Sequence, residues 1–194
     1  MENLNKKYIQ ATKNRGPIIL LKEIIETGNI QEGAKALDLG CGAGVNARYL
    51  AQRKIVVEAV DFNQESIDQS RKTCKNLSVK IVKKNILDYD IAREKYSVIV
   101  FWYVLPFLER EKSLKLFERI REGLTPQGFL IFGFFGPEDA WSKIGKVSSW
   151  EIEEFKEKFP GLDFIKIIEV KEKRNTISGH NKFWHKIYGI AQKK

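Results

Sequence analysis

Cysteine and histidine, the residues that most often bind metal ions or act as nucleophiles, are scarce in this chain. Its 194 residues include two cysteines and two histidines. Cys41 and Cys74 form no Cys-x-x-Cys pair, and His180 and His185 lie five positions apart, which gives little support for a zinc-binding motif. We therefore predict no metal site, and we interpret both cysteines as small buried residues.

Long hydrophobic runs are also lacking. No apolar run approaches the roughly 18 residues that a membrane-spanning helix needs, and no charged-then-apolar leader opens the chain. Two cysteines without an evident partner favour a reducing compartment. These absences predict a cytoplasmic protein that does not enter a membrane. The sequence contains no internal repeat and no proline- or serine-rich linker, so we expect residues 1–194 to form a single domain.

Positive charge is in excess, with a formal net charge of +9 at pH 7 and an isoelectric point near 9.4. Lysine and arginine neutralise phosphates, so RNA is one candidate partner. The basic residues gather near both ends of the chain and are interleaved with acids elsewhere, which suits an anionic small molecule as well. Solvated lysine-rich faces that bind no partner are the third interpretation. The oligomeric state is left open.

The most informative segment is residues 34–50, AKALDLGCGAGVNARYL, where a buried-strand pattern leads through three alternating glycines into a helical pattern. Gly40, Gly42 and Gly44 permit a tight turn and let a ligand lie against main-chain N–H groups at a helix start. A dinucleotide loop, G-x-G-x-x-G, would have its third glycine at Val45. The pattern therefore favours another nucleotide-like cofactor. A glycine-rich turn without a ligand is the alternative.

A second signal is Asp61, which follows the apolar strand pattern of residues 55–60 and lies 23 positions after Asp38. In α/β nucleotide folds, a carboxylate at the end of the second strand accepts hydrogen bonds from ribose hydroxyls. A helix over about residues 44–53 supplies the crossover between the two strands. The alternative for Asp61 is the N-cap of the next helix.

The D-x-G-x-G-x-G pattern from Asp38 to Gly44, followed by Asp61, resembles motif I of the class I S-adenosylmethionine-dependent methyltransferases. This resemblance implies a Rossmann-like α/β fold with a seven-stranded, mostly parallel sheet, helices on both faces and an antiparallel C-terminal hairpin. It also implies S-adenosyl-L-methionine as cofactor and transfer of a methyl group by direct displacement. The order of elements near the C-terminus resembles the small tellurite-resistance TehB-like group.

The resemblance assigns roles to individual residues. The motif I acid lies near the ammonium group of the ligand, and Phe62 covers one face of the adenine, although it could equally be a core residue. Asn85 stands where the family commonly has an aspartate that accepts from the adenine amino group, with the N–H of Ile86 meeting a ring nitrogen. Asp88 could fill that role, or either could be a turn residue. The predicted cofactor-binding residues are Asp38, Gly40, Cys41, Gly42, Gly44, Asp61, Phe62, Asn85, Ile86, Phe101 and Trp102.

Aromatic residues follow the fourth strand pattern, residues 96–105. Ligands bind at the carboxyl edge of an open α/β sheet, where Trp102 and Tyr103 are expected. Aromatic faces beside a sulfonium attract it and exclude water from the transferred methyl group. An aromatic-rich strand buried under helices is the alternative. Ser97 stands where the family usually has an acid, and this departure leaves open a diverged or inactive site.

The acceptor-binding residues are less constrained. Residues 1–30 are expected to form a helical lid, whose helix is predicted from Pro17, Ile18 and Leu21 and ends at Gly28. Residues 136–150 form a loop on the substrate side, in which both tryptophans could instead anchor the loop to the core. The predicted substrate residues are Tyr8, Arg15, Trp141, Trp150 and Arg174, and the predicted catalytic residues are Tyr103 and His185.

The remaining pattern completes the fold. It predicts helices over residues 110–124 and 149–159, a strand over residues 129–135, and a short hairpin of residues 162–170 and 182–191 joined by a loop. The chain lacks the N/D/S-P-P-Y/F segment of many methyltransferases that act on base amines or glutamine side chains, so we expect a small-molecule acceptor. An RNA methyltransferase, or a cofactor-binding regulatory module without turnover, is the alternative.

Overall fold

The computed structural model describes residues 2–27 and 30–194, with side chains from residue 6 onward, so the helix end expected at Gly28 lies outside the described residues. The helices are α1 (Glu2–Thr12), α2 (Ile19–Glu26), α3 (Val45–Ala51), α4 (Gln64–Thr73), α5 (Arg110–Gly123), α6 (Ala140–Lys143) and α7 (Ile152–Glu157). The strands are β1 (Lys35–Leu39), β2 (Val56–Asp61), β3 (Val79–Lys83), β4 (Tyr96–Trp102), β5 (Leu124–Phe135), β6 (Leu162–Asn175) and β7 (Asn181–Lys193).

The strands form one seven-stranded sheet in the order β3-β2-β1-β4-β5-β7-β6. β1 pairs with β2, and β2 with β3, in parallel, as expected for strands joined by helices. β7 is antiparallel to both of its neighbours. This order confirms the predicted fold class, including the C-terminal hairpin. Of the helices in the described part of the chain, none is long and apolar enough to cross a membrane.

The chain divides into two compact units, one of residues 1–90 with 96–100, and the other of residues 91–95 with 101–194. The single domain expected from the sequence therefore stays a prediction. In the first unit, β1 and β2 supply a buried aliphatic layer that includes Leu37, Leu39 and Val60. These residues belong to nearly continuous apolar runs, as expected for strands that are buried on both faces.

The core of the second unit is aromatic. The ring of Phe117 on α5 contacts the rings of Trp150, Phe155 and Phe159, with centroids 4.8–5.6 Å apart. Phe155 also lies 4.4 Å from the ring of Phe134 on β5. Such tilted and edge-on pairs are favourable beyond the area that they bury, so they fix α7 and the end of the preceding loop against β5.

Several elements differ from the sequence prediction: β5 begins at Leu124 rather than at residue 129, and α6 lies within the segment predicted as a loop. The N-terminal segment contains two helices; α2 is the predicted one, whereas α1 was not predicted. The hairpin is longer than expected, because β6 and β7 pair continuously out to Asn175 and Asn181. The prediction of a loop over residues 171–181 was therefore wrong, except for residues 176–180 between the two strands. A register shift between Phe164 and Lys166 marks a β-bulge in β6.

Candidate functional site

The glycine loop between β1 and α3 adopts the backbone that its sequence predicts. Gly40, Gly42 and Gly44 have φ angles of 73°, 52° and 76°, in the left-handed region that favours glycine. The N–H groups of Gly40 and Cys41 both donate to the carbonyl oxygen of Val60, at 2.8 and 3.0 Å. The loop is therefore tied to the end of β2, where Asp61 lies.

Asp61 links the same two elements through its side chain. Its Oδ2 accepts from the N–H of Gly42 at 3.0 Å, and its Oδ1 accepts from the N–H of Asn63 at 2.9 Å. The side chain of Asn63, not that of Asp61, caps α4 by accepting from the N–H of Ser66, so the capping alternative for Asp61 is wrong. Burial raises the pKa of Asp61, and hydrogen bonds from the backbone N–H groups of Asn63, Gly42 and Phe62 and from the Ser66 side chain oppose this rise.

Asp38 is the second acid of the site and is more deeply buried, with 2% of its surface exposed. Its Oδ2 has no hydrogen-bond partner among the residues that the structure describes. Burial and the neighbouring Asp61 together raise the pKa of Asp38 to about 7, although a hydrogen bond from the Ala47 N–H opposes this rise. A buried acceptor without a partner is costly, so this oxygen marks a position where a donor or cation from a ligand fits.

Helix α4 supports the glycine loop from behind. Ser70 Oγ donates to the carbonyl oxygen of Gly42 at 2.8 Å, and Cys74 Sγ donates to that of Gly44 at 3.6 Å. A Cβ on Gly44 would lie 2.9 Å from Ser70 Oγ, so glycine is required there. Sequence reasoning missed Ser70 as a site residue, although Ser70 and Cys74 have the i, i+4 spacing of one helix face. Both cysteines are buried, as predicted, and burial raises the pKa of Cys74 to about 11.

The N-terminal segment reaches this loop through α1. The Cδ1 of Ile9 lies 3.9 Å from the position that a Cβ on Gly42 would take. Tyr8 is 49% exposed, and Arg15 is exposed in the following turn. The N–H of Ile18 donates to Asn46 Oδ1 at 3.2 Å, which joins the start of α2 to α3. The lid function and the contacts of Tyr8 and Arg15 with a substrate stay predictions.

The residues expected at the adenine end lie after β2 and β3. Phe62 is 67% exposed, so the alternative of a core residue is wrong for it. Asn85 is exposed, and its Oδ1 accepts from the N–H of Leu87 at 3.0 Å, which gives it the turn geometry considered as an alternative. Ile86 is buried beside it, and Asp88 is exposed. Contacts of these residues with the cofactor stay predictions.

In the second unit, the predicted aromatic residues at the end of β4 differ in burial. Phe101 is buried, with its ring edge-on to that of Phe117, which is the core position considered as an alternative. Trp102 and Tyr103 are half-buried, with ring centroids 5.1 Å apart. Tyr103 has a φ of 52°, while its N–H donates to the carbonyl oxygen of Gly133. A bulky residue in this region is strained, a feature that concentrates at functional sites.

His185, predicted to be catalytic, lies in β7 with 2% of its surface exposed. Its Nδ1 accepts from the N–H of Glu138, and its Nε2 lies 2.7 Å from a carboxylate oxygen of Glu169. This arrangement assigns the ring proton to Nε2, which donates to Glu169. The hydrogen bond from His185 also lowers the pKa of Glu169. The structure gives His185 a positioning role between β6 and the loop after β5, and its catalytic role stays untested.

The substrate-side loop is anchored by a buried ion pair that sequence reasoning missed. Lys182 Nζ on β7 lies 2.6 Å from Asp139 Oδ1, and both side chains are buried. The same ammonium lies 3.8 and 3.6 Å from the ring centroids of Trp141 and Trp184. Asp139 also accepts from the N–H groups of Trp141 and His185. Burial lowers the pKa of Lys182, and Asp139 opposes this change.

The remaining predicted substrate residues lie apart in this unit. Trp150 is buried against Phe117, with the Arg110 guanidinium 4.0 Å above its ring, so it anchors the end of the loop. Arg174 is exposed near the tip of the hairpin, where its carbonyl oxygen accepts from Trp184 Nε1. Trp141 is half-buried within the loop itself. Their contacts with a substrate stay predictions.

Residues 36–128 match a family model described as a methyltransferase domain. The carboxy-S-adenosyl-L-methionine synthase of Aeromonas salmonicida is 36% identical over 109 residues, which are 52% of this chain and 43% of that protein. The probable S-adenosyl-L-methionine-dependent methyltransferase TehB of Haemophilus influenzae is 27% identical over 167 residues, which are 84% of this chain and 58% of that protein. The chain therefore spans about half the length of these curated relatives.

Two solved structures share the fold. TehB from Haemophilus influenzae has a TM-score of 0.76 at 22% identity, covering 98% of this chain and 67% of that one. A TehB-like S-adenosylmethionine-dependent methyltransferase from Corynebacterium glutamicum has a TM-score of 0.71 at 20% identity, covering 100% of both chains. The family match falls on the strands and the loop that build the site around Asp38 and Asp61. Residues 36–128 therefore match a methyltransferase domain, and the chain is similar to TehB in sequence and in fold.

Proposed function

We propose that this chain is an enzyme that uses S-adenosyl-L-methionine to methylate a small-molecule acceptor. The observation that carries the proposal is the glycine loop, whose left-handed residues are tied to Asp61 at the end of β2. The names of two relatives, a carboxy-S-adenosyl-L-methionine synthase and a probable methyltransferase TehB, support the cofactor and a small substrate. The anionic character of the acceptor is proposed from the net charge of +9.

The residues of the first unit fit this cofactor. Asp61 presents its carboxylate at the end of β2, where it can accept from ribose hydroxyls, and the buried Asp38 has an oxygen without a partner for the ammonium group. Phe62 is exposed and can cover an adenine ring, with Asn85 and Ile86 beside it. When bound, S-adenosyl-L-methionine supplies a methyl group on a positively charged sulfonium. The protein's task is then to hold the acceptor in line and exclude water.

We assign acceptor selection to the second unit. Trp102 and Tyr103 follow the apolar body of β4, and the strained backbone of Tyr103 is held by Gly133 and by its ring contact with Phe135. Tyr103 is the candidate base for acceptors that keep a proton at neutral pH. In this proposal Trp141 and Trp150 act through the loop that they anchor, and the exposed Arg174 attracts an anionic acceptor.

Titration calorimetry of the purified chain tests the cofactor first. We expect binding of S-adenosyl-L-methionine and S-adenosylhomocysteine at micromolar concentrations, and no binding of NAD. The absence of binding by both adenosyl compounds would overturn the proposal at its root. Where both bind, production of S-adenosylhomocysteine in an acceptor screen measures turnover.

The same screen separates the two alternative functions. An RNA methyltransferase would bind its substrate with a steep dependence on salt, because basic residues release counterions from phosphates. A regulatory module would bind the cofactor tightly and give no methylated product with any acceptor. A methylated small molecule whose binding depends weakly on salt supports the proposed function.

A further inference from the structure

Two carboxyl groups, those of Asp38 and Asp61, lie at the same glycine loop without a basic partner. Within residues 6–27 and 30–194, no lysine, arginine or histidine side chain forms an ion pair with either of them. Asp61 is stabilised by two backbone N–H groups. The negative charge of Asp38 is compensated less than that of Asp61, because one oxygen of Asp38 is buried without any donor.

A buried carboxyl group in this situation has two ways to avoid an uncompensated negative charge. It can hold a proton, or it can face a cation from a ligand. Consistent with the first state, burial and Asp61 together raise the pKa of Asp38 to about 7. The second state requires a cation at the unpartnered Oδ2, and an adenosyl amino-acid cofactor carries an ammonium group.

We propose that Asp38 exchanges its proton for the ammonium group of the cofactor, so that cofactor binding releases this proton to solvent. The inference rests on the proposed function, since it takes the cofactor to be an adenosyl amino acid. The O–H bond of the Asp38 carboxyl breaks, the proton leaves to water, and the carboxylate that remains pairs with the ligand's cation. An opposite charge within about 4–6 Å lowers the pKa of an acid by roughly 1–3, which is enough to keep the bound form ionised near neutral pH.

The surroundings of Asp38 contain few groups that could contribute protons of their own. Asp61 faces it from β2, while the thiols of Cys41 and Cys74 face it from the loop and from α4. Burial raises the pKa of both thiols, so they keep their protons at neutral pH. Arg48 on α3 acts on Cys74, and Tyr8 and Arg15 lie near Asp61. Asp61 is therefore the group whose proton release the experiment has to distinguish from that of Asp38.

Two ligands make this distinction. S-adenosylhomocysteine carries both the ribose and the ammonium group, whereas 5′-methylthioadenosine carries the ribose but lacks the amino-acid part. Protons released through contacts of Asp61 with the ribose appear with both ligands. Protons released by Asp38 appear with S-adenosylhomocysteine alone.

The experiment is calorimetry at pH 6 in buffers of different ionisation enthalpy, which gives the number of protons released per ligand bound. We expect S-adenosylhomocysteine to release roughly 0.4–0.9 proton more than 5′-methylthioadenosine, because a fall of 1–3 from a pKa of about 7 removes this fraction at pH 6. We also expect its affinity to fall on the order of tenfold more than that of 5′-methylthioadenosine between pH 7.5 and pH 5.5, because Asp38 must be deprotonated first. In the Asp38→Asn variant, both ligands should release the same number of protons.

Equal proton release by the two ligands in the unaltered protein, with parallel dependence of their affinities on pH, overturns the inference. That outcome leaves the proposed function intact, because both ligands still bind. Failure of both ligands to bind overturns the proposed function instead. The comparison of ligands uses the unaltered chain, so it does not depend on whether the variant folds.

Discussion

The carboxylate of Asp61 holds the glycine loop in place and is also the group proposed to bind the cofactor's ribose. Its two backbone hydrogen bonds, to Gly42 and Asn63, fix its position before any ligand is present. A side chain held in this way loses little conformational entropy when a ligand binds. Replacing it should therefore affect binding directly.

We predict that Asp61→Ala weakens binding of S-adenosyl-L-methionine by about 1–3 kcal/mol, or roughly 5- to 150-fold in Kd, because a charged acceptor for two hydroxyls is lost. Calorimetric titration of the variant measures the change. The matched control is Asp68→Ala, which removes an exposed acid from the adjacent helix α4. Equal affinities of the two variants would remove Asp61 from the site.

Gly136 shows how closely a single residue is constrained by its neighbour. A Cβ at this position would lie 2.3 Å from the Nδ1 and Cε1 atoms of the His185 ring. We predict that Gly136→Ala lowers the free energy of unfolding by at least about 1–3 kcal/mol, because the buried ring must move. Urea denaturation measures this, with Gly16→Ala as the control, since nothing lies within 4 Å of the corresponding Cβ there. Equal stability of the two variants contradicts the packing described here.

For individual residues, the sequence predicted the site best where the chemistry of the ligand restricts which residue can occupy a position. Asp61 was found from the end of a strand pattern, and the structure places it against Gly42. The burial of His185 was not predictable, because it depends on the missing side chain at Gly136 and on Glu169 from another strand. Such contacts between distant positions leave no local signal in one sequence.

Among the elements, α4 supports the site without presenting any residue of the recognised motif. Ser70 and Cys74 each donate to a carbonyl oxygen of the glycine loop, one helical turn apart. By engaging these carbonyl groups, the helix restricts the left-handed turns of the loop. The loop geometry therefore depends on α4 as well as on the glycines themselves.

We predict that Ser70→Ala costs about 1 kcal/mol of stability and also weakens cofactor binding severalfold, because the carbonyl of Gly42 loses its donor. The control is Ser113→Ala, which removes a buried serine that donates to the carbonyl of Glu109 within α5. Thermal denaturation and calorimetry of both variants give the comparison. If the two variants lose stability alike and bind the cofactor alike, α4 has no positioning role.

The loop after β5 depends on the ion pair between Lys182 and Asp139. We predict that Lys182→Met destabilises the protein by about 3 kcal/mol, because it leaves a buried carboxylate with backbone donors only. Lys186→Met, which removes a partly exposed partner of Glu172, should cost much less. Denaturant titration measures both. A Lys182→Met/Asp139→Leu double variant should recover part of the stability lost in Lys182→Met. If Lys182→Met and Lys186→Met destabilise the protein equally, the prediction is refuted.

The elements that were missed share a physical reason. In α1, Ile9 and Thr12 are buried among the side chains described, so the helix has a weak apolar stripe. In the outer part of the hairpin, residues 171–175 of β6 are mostly charged and pair with β7 through their backbones, as Lys171 does with His185. Backbone pairing does not need apolar side chains, so the polar composition of residues 171–181 led to the wrong prediction of a loop.

For the whole molecule, the buried acid in β1 predicts a dependence of stability on pH. The pKa of Asp38 is raised to about 7 in the folded state, whereas it is near 4 in an unfolded chain. Between these values the folded state binds more protons than the unfolded state, so the free energy of unfolding falls as pH rises from about 4 to about 7 and levels off above that.

We predict that Asp38→Asn removes this fall. The variant's stability relative to the unaltered chain should rise across that window by up to about 4 kcal/mol, since groups that do not interact with Asp38 titrate equally in both proteins. Urea denaturation at several pH values in the absence of cofactor measures the difference. A difference that stays constant with pH would show that Asp38 does not titrate in this range.

The overall fold was predictable because its strands alternate with helices and because the glycine loop identifies the family. The sheet order and the antiparallel hairpin both agree with that prediction. The division of the chain into two compact units was not predicted, since no change in composition marks the boundary near residues 91–101. A boundary that passes through the strand β4 leaves no linker to detect.

The β-bulge in β6 bears on solubility. β6 lies at the edge of the sheet and is 14 residues long. A flat edge strand of this length would be a template for pairing between molecules. The register shift between Phe164 and Lys166 bends the strand locally, and exposed charges such as Lys171 and Lys173 follow it. We expect these features to keep the edge from joining another copy of the chain, so a long exposed edge strand is compatible with a protein that does not aggregate.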